Sequence, residues 1–309
     1  MFRKWTAFLT VFVFCCSMLG PVYAAGEPPV VARISSVERM LYGAVQTGAI
    51  LERVTKLENE IYGLETEGAI LDRVDRLHAE VFDNANGQAS FLTKINAIEW
   101  LFKNEVTSAP IKTRVENLET QLEGNPKEGT LSERITALSQ LAFPEGVIEV
   151  ADRAVPAETL IKIKLLTPLD SETTGVGNEV RYQVAEDVVL DGSLVFAAGA
   201  EGSGVVAKVS EAQNFGRNAK LEVDFQTITA LDGRIVDTVL GEKAKEETER
   251  LAVAAGATVA GLALLGPVGI VAGAFVKGKD IKIPAGTEMY IQTKTDVIVY
   301  GILTNVSSN

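Results

Sequence analysis

The sequence predicts an α+β protein: N-terminal short-helix repeats, then an all-β barrel or sandwich interrupted by a Gly/Ala-rich helical hairpin. Three observations predict it. A unit of about 20 residues recurs six times over residues 33–143. After about residue 159, period-two runs of Val, Ile and Thr separated by Asp-Gly turns take over. Inside that second part, residues 251–276 carry no charge at all.

The chain begins with Arg3 and Lys4, then an apolar or neutral run over 5–19, then Val22-Tyr23-Ala24. A basic start, an apolar stretch and small residues at the two recognised positions predict a secretory signal over 1–24, cleaved after Ala24. The expected setting is therefore export, to the periplasm or to a site associated with the outer membrane. An uncleaved anchor is the alternative, and Cys15 and Cys16 sit too deep in the apolar run to suit lipid attachment. Residues 25–32 read as a linker.

With 309 residues the chain has room for two domains. Aromatics are only 6% of it, so packing must rest on Val, Leu, Ile and Ala. Cleavage would take Arg3 and Lys4 from the 29 basic residues, leaving 27 against 41 acidic ones, a charge of −14. It would also remove both cysteines, so stability has to come without disulfides. An acidic surface argues against nucleic acid as a partner.

The repeat is clearest where Arg53-Val54, Leu57-Glu58, Ile61-Tyr62-Gly63 and Gly68 follow Arg33-Ile34, Val37-Glu38, Leu41-Tyr42-Gly43 and Gly48 at an offset of 20. Arg73-Val74 and Leu77-His78 continue it. One residue slips in before Lys94-Ile95, and Arg114-Val115 and Arg134-Ile135 close the series. Ile50, Val54, Leu57 and Ile61 share one face of a helix, so Val54, Leu57, Ile61, Tyr62, Val74 and Leu77 are expected to pack unit on unit. A helix this short is marginal alone, so neighbours or other copies must cover its stripe. Glu52 and Lys56 are spaced for an i, i+4 pair, and Gly63 suits a left-handed helix end. The recurring Arg and Glu lie on different faces of one helix, so they either pair between adjacent helices or face water. Tyr42, Tyr62, Phe82 and Phe102 are expected to pack under the loops. The unit resembles the short helical repeats of form Arg-Leu-x-x-Leu-Glu-x-x-Leu-Phe-Gly in exported proteins of cyanobacteria and of Firmicutes with outer membranes. That resemblance implies a cell-envelope setting and no particular activity.

Residues 144–158 read as a second linker and 159–309 as the β domain. Strands are expected at 160–166, 180–184, 204–209, 219–230, 235–240, 281–283, 289–293 and 297–299, with hairpin turns at Asp191-Gly192 and Asp232-Gly233. Ala198-Gly199-Ala200-Glu201 is echoed by Ala285-Gly286-Thr287-Glu288. Each copy follows an apolar strand and is expected to turn into the next.

The uncharged run 251–276 holds eight Ala and five Gly. As one helix it would reach roughly 39 Å, enough to span a bilayer. Pro267, with Gly266 and Gly269, divides it, and strands on both sides belong to one sheet. Both ends are therefore expected to emerge on one side, as a helical hairpin. Gly256, Gly261, Gly266, Pro267, Gly269 and Gly273 are the residues expected at a glycine-zipper contact with a membrane or with other copies. A hairpin buried over the β domain and a single crossing are the other readings. The order of parts resembles the C-terminal domain of the VirB10/TrbI family of type IV secretion proteins. The matching pieces are Ala198-Gly199 before Gly204-Val205-Val206, Leu221-Glu222-Val223-Asp224-Phe225, Leu231-Asp232-Gly233 and Ile283-Pro284-Ala285-Gly286-Thr287. The resemblance implies a barrel with a helical projection that reaches the outer membrane in an assembled ring. Here, however, a cleavable signal stands in place of the family's inner-membrane anchor, and repeats in place of its proline-rich linker.

No residue set points to catalysis. His78, the one histidine, stands where other units carry Glu58 or Glu119, and neither a nucleophile–histidine arrangement nor a His/Cys zinc site can be composed. No cofactor, metal or nucleic acid is expected. The expected role is a non-catalytic envelope scaffold or adaptor that meets a membrane through 251–276, with protein partners or a homo-oligomer. A ring-forming component of an export or secretion channel is the alternative, and a peptidoglycan-binding or hydrolytic module comes third.

Overall fold

The structure, a computed structural model, describes residues 28–85, 87–211, 219–254 and 280–304. Six repeat helices come first: α1 (Val30–Tyr42), α2 (Ile50–Tyr62), α3 (Ile70–Phe82), α4 (Phe91–Lys103), α5 (Ile111–Glu123) and α6 (Leu131–Ala142). A 3₁₀ turn, Pro144–Gly146, follows. The helices form a packed array: α1 touches α2, α3 and α5, α2 touches α3 and α6, and α4 touches α3, α5 and α6. Val54, Leu57, Ile61, Val74 and Leu77 are buried in it, with Tyr62 half-buried at its edge. Gly63 ends α2 in the left-handed region, at φ 77°.

The recurring Arg and Glu pair between successive helices. Arg53 donates to Glu38 (2.7 Å), Arg73 to Glu58 (2.5 Å), Arg114 to Glu99 (2.7 Å) and Arg134 to Glu119 (2.7 Å). Each arginine reaches back 15 residues to a carboxylate that is buried in the array. The same carboxylates fix the loop behind them, accepting from Gln46 N (2.9 Å), from the Thr66 hydroxyl, from Thr107 N (2.9 Å) and from Lys127 N (2.9 Å). Burial pushes Glu58 and Glu119 toward protonation. The arginine and loop hydrogen bonds outweigh it and hold both below the ordinary carboxylate value. Arg114, the most enclosed of the arginines, is shifted down by burial.

Two local expectations need correction. Glu52 accepts from Ala49 N (3.2 Å) at the start of its helix, and Lys56 reaches Gln46 (3.3 Å). The helix end thus takes the carboxylate that an i, i+4 pair would have used. Tyr42, Tyr62 and Phe82 pack against the core, whereas Phe102 is 40% exposed.

The β region holds β1 (Val150–Val155), β2 (Leu160–Leu165), β3 (Leu169–Asp170), β4 (Glu179–Val184), β5 (Val188–Leu190), β6 (Ser193–Phe196), β7 (Glu201–Ser210), β8 (Lys220–Thr229), β9 (Ile235–Val239), β10 (Lys282–Ile283), β11 (Glu288–Thr293) and β12 (Val297–Leu303). Six antiparallel strands close a barrel in the order β11-β2-β4-β7-β8-β9, so the fold is α+β with a β-barrel. A second sheet runs β1-β12-β6-β5, and β3 pairs with β10. Alternating apolar residues fill the barrel. Tyr182 meets Phe225 edge-on at 5.4 Å, and its hydroxyl donates to Thr227 O (2.9 Å). Strand β1 lies within the stretch read as a linker, because Asp152 and Arg153 interrupt its alternation and its partner β12 lies at the far end of the chain.

Array and barrel share one hydrophobic core. Helix α4 carries the contact, with Phe91, Leu92, Ile95, Asn96, Ala97 and Ile98 all buried. Asn96 donates to Leu231 O (2.6 Å) and accepts from Arg114 (2.6 Å), which joins the most buried ion pair to a barrel turn. Trp100 donates to Asp187 (2.7 Å), Val106 N to Ala198 O (2.8 Å) and Ser108 to Glu201 (2.7 Å). Gly233 lies so close to Leu92 that any Cβ there would overlap its methyl.

Replacing Arg114 with Ala leaves Glu99 buried with only the longer Lys103 pair (3.3 Å), and we expect a loss of about 3 kcal/mol in urea unfolding. Arg181→Ala, which breaks an exposed pair with Glu201, should cost under about 1 kcal/mol in the same measurement. The pH dependence has a definite sign. Glu58 and Glu119 have depressed folded-state values, so their contribution is complete above the unfolded carboxylate value of about 4.3 and disappears as pH falls through the folded one. Acid titration followed by helical circular dichroism should therefore show a steeper loss for the parent chain than for Glu119→Gln.

Candidate interaction end of the barrel

Helix α7 (Glu242–Ala254) follows β9 and lies along β11. Its sequence is charged on one side and small on the other, so Ala244, Thr248 and Ala252 face the barrel and are buried. Two hydrogen bonds set its direction: Ala244 N donates to Gln292 Oε1 (3.1 Å), and Tyr290 N donates to Thr248 Oγ1 (2.9 Å). As residue number rises along the helix, the partner number falls along β11. The helix therefore heads toward the start of β11, where β10 arrives. On the other side of residues 255–279, Ile281 and Ser171 exchange two hydrogen bonds, N to O at 2.9 Å and N to Oγ at 3.0 Å. Lys282 bridges Asp170 (3.2 Å) and Glu172 (3.0 Å). Those bonds raise the lysine's pKa, while a backbone N–H and Lys282 lower that of Asp170. Both attachment points of the uncharged segment thus lie at one end of the barrel.

Gly256, Gly261, Gly266, Pro267, Gly269 and Gly273 lie outside the described residues, as does the predicted signal 1–24. The first four positions of the 251–276 run form the last turn of α7. Among the described residues no helix is long and apolar enough to cross a membrane, and no group of three His, Cys, Asp or Glu is placed to hold a metal ion. Helix α7 itself was not legible as an element, because its charges dominate the window before 251. Its buried Ala244, Thr248 and Ala252, spaced by four, were the signal that would have found it.

A cleft of about 480 Å³ separates array from barrel, lined by Phe82, Asp83, Asn84, Ala85, Asp232, Gly233 and Arg234. Asp232 is its one buried acid. Its oxygens accept from Arg234 N (3.0 Å) and Tyr300 N (2.8 Å), so both are committed to the backbone although burial raises its pKa. Arg234 stacks on Tyr300 at 5.1 Å and donates to Ile298 O (2.6 Å). Asn84 accepts from Ser90 N (2.9 Å), and Asp83 is exposed. His78 lies against Phe82, ring centroids 4.8 Å apart.

No family model matches the chain, and no curated protein does. Among solved structures, it is similar to ComB10 of the Com type IV secretion system of Helicobacter pylori at 15% identity. The match covers 47% of this chain and 89% of ComB10. Its TM-score is 0.27, at which no common fold is assigned.

Thr248→Val removes the acceptor for Tyr290 N without changing side-chain volume. We expect about 1–3 kcal/mol of local destabilisation, read as faster amide exchange across 242–254 and at Tyr290, with the barrel strands β4 and β7 unchanged.

Proposed function

We propose that the chain is a non-catalytic structural component of an exported cell-envelope assembly, in which a helical array fixed to a barrel presents residues 255–279 to a membrane. The observation that supports this reading is the placement of α7 and β10. A Gly/Ala-rich segment, without charge up to Val276, that leaves and returns at one barrel end does not divide the barrel across a bilayer. The barrel keeps all its strands in one aqueous compartment, and the segment enters lipid as a hairpin whose glycines let its two arms approach. The predicted signal at 1–24 supplies the route out of the cytoplasm.

A second reading, a ring-forming component of an export channel, is favoured by the position of the insertion. The barrel is interrupted between β9 and β11 by a helix, an apolar run and β10, the order of parts that resembles the VirB10/TrbI family. ComB10 comes from such a secretion system, but its similarity score adds no weight of its own.

Single cysteines at Lys245 and Lys282, in a chain with Cys15 and Cys16 changed to serine, test the first reading. A membrane-impermeant maleimide should label both equally from the same side of the membrane. Labelling of only one, or full recovery of the chain in the soluble fraction irrespective of deleting 255–279, overturns it. The mass of the purified chain tests the second: a strict monomer at all concentrations excludes a ring.

A further inference from the structure

Two internal duplications meet at one contact. On the barrel, Ala198-Gly199-Ala200-Glu201 and Ala285-Gly286-Thr287-Glu288 form the same turn. Gly199 and Gly286 both have φ 87°. Gly199 N donates to Val184 O (2.9 Å) and Val184 N to Ala200 O (2.8 Å), just as Gly286 N donates to Leu165 O (2.7 Å) and Leu165 N to Thr287 O (2.9 Å). In the array, the loop after α4 (Glu105-Val106-Thr107-Ser108) corresponds through the repeat to the loop after α1 (Ala44-Val45-Gln46-Thr47). Thr107 N and Gln46 N both donate at 2.9 Å to the ladder glutamate of their own unit, Glu99 and Glu38. The two loops are therefore held alike.

One member of each pair is already engaged with the other. Val106 N donates to Ala198 O, Gly199 sits against the Val106 backbone where a Cβ would collide with its carbonyl oxygen, and Ser108 donates to Glu201. Val106 is 6% exposed as a result. The other members are uncovered: Val45 is 43% exposed, nothing lies within 4 Å of a Cβ built on Gly286, and Glu288 is 44% exposed beside Lys162 (2.9 Å), as Glu201 stands beside Arg181 (2.8 Å). Their chemistry is conserved in kind, with a donor at Val45 N, an acceptor at Ala285 O, a hydroxyl at Thr47 and a carboxylate at Glu288. The remaining regular loops lack it. Glu67, at the place of Thr47, would set a carboxylate against Glu288, and Pro126, at the place of Val45, has no N–H to give.

We propose that the 285–288 turn of one copy docks on the 44–47 loop of a second copy, repeating between chains the contact that 198–201 makes with 105–108 within one. Donor loop and acceptor turn are different surfaces, so the contact is head-to-tail and propagates into a ring or a filament according to its rotation. It is smaller than the internal contact, which Leu92, Asn96 and Trp100 extend, so it forms at high local concentration. It does not rest on residues 255–279 meeting a membrane, and either proposal stands if the other fails.

The test uses the full chain with Cys15 and Cys16 changed to serine. Thr47→Cys in one preparation and Glu288→Cys in another are mixed and treated with a short bis-maleimide. The expected product is a cross-linked dimer from the mixture and a ladder of multimers from the double variant. Ser108→Cys with Glu201→Cys is the control for reach, and it should close within one chain without a change in oligomer mass. Val45→Pro removes the donor in a loop whose counterpart already tolerates Pro126, and should lower the cross-linking yield about tenfold. No dimer while the control closes, or a dimer insensitive to Val45→Pro, overturns the proposal.

Discussion

The structure depends on one buried relay, Glu99 to Arg114 to Asn96 to Leu231. Arg114 and Glu99 are both almost wholly removed from water, a costly state unless every polar direction is used. Here each is. The guanidinium divides its hydrogen bonds between the carboxylate and the Asn96 amide, and that amide passes on to a barrel carbonyl. The carboxylate takes the Thr107 backbone as well. Orientation of α4 on the barrel is thereby fixed by directional bonds, while Phe91, Leu92 and Ile95 supply the undirected burial. Directional networks of this kind fix an orientation without a covalent cross-link.

The ladder is not uniform, and its gaps carry meaning. It runs through two pairs in α1–α3, stops at His78 and Lys94, resumes through two pairs in α4–α6, and ends at Ser139, whose hydroxyl turns back to Ile135 O. The array therefore reads as two three-helix units, and α1 against α3 is matched by α4 against α6. The extra residue between α3 and α4 falls at the seam. There the chain makes bridges from Gln88 to Ala85 and Glu149 in place of another repeat turn.

Much of this was legible in the sequence. Period 20 located the six helices, and period two with Asp-Gly located most barrel strands. The spacing of Arg53 and Glu58 forbids a pair within one helix and leaves the neighbouring helix and water as alternatives, between which the structure decides for the helix. What escaped had weak or distant signals. Strand β1 has charges in its centre and a partner some 150 residues away in sequence, and β5 and β6 are too short to show alternation. The union of array and barrel was hidden because α4 reads as one more repeat. Its distinguishing mark, the apolar Phe91-Leu92 at the start with Asn96 on the inner face, becomes meaningful only once a barrel turn lies against it. At the barrel end, the direction of α7 depends on Thr248 and Gln292, two polar residues that no periodicity argument selects.

Gln292 occupies an unusual position. Its backbone is paired with Val239 at the junction that closes the barrel, a junction registered over only two residue pairs, and its side chain holds the first turn of α7. This is the cylinder's shortest-registered join, against eight registered pairs between β7 and β8, and α7 runs from it toward the end where residues 255–279 attach. A pull at residue 254 would act on that join through the length of α7, so the helix ties the wall's shortest seam to the far end of the cylinder.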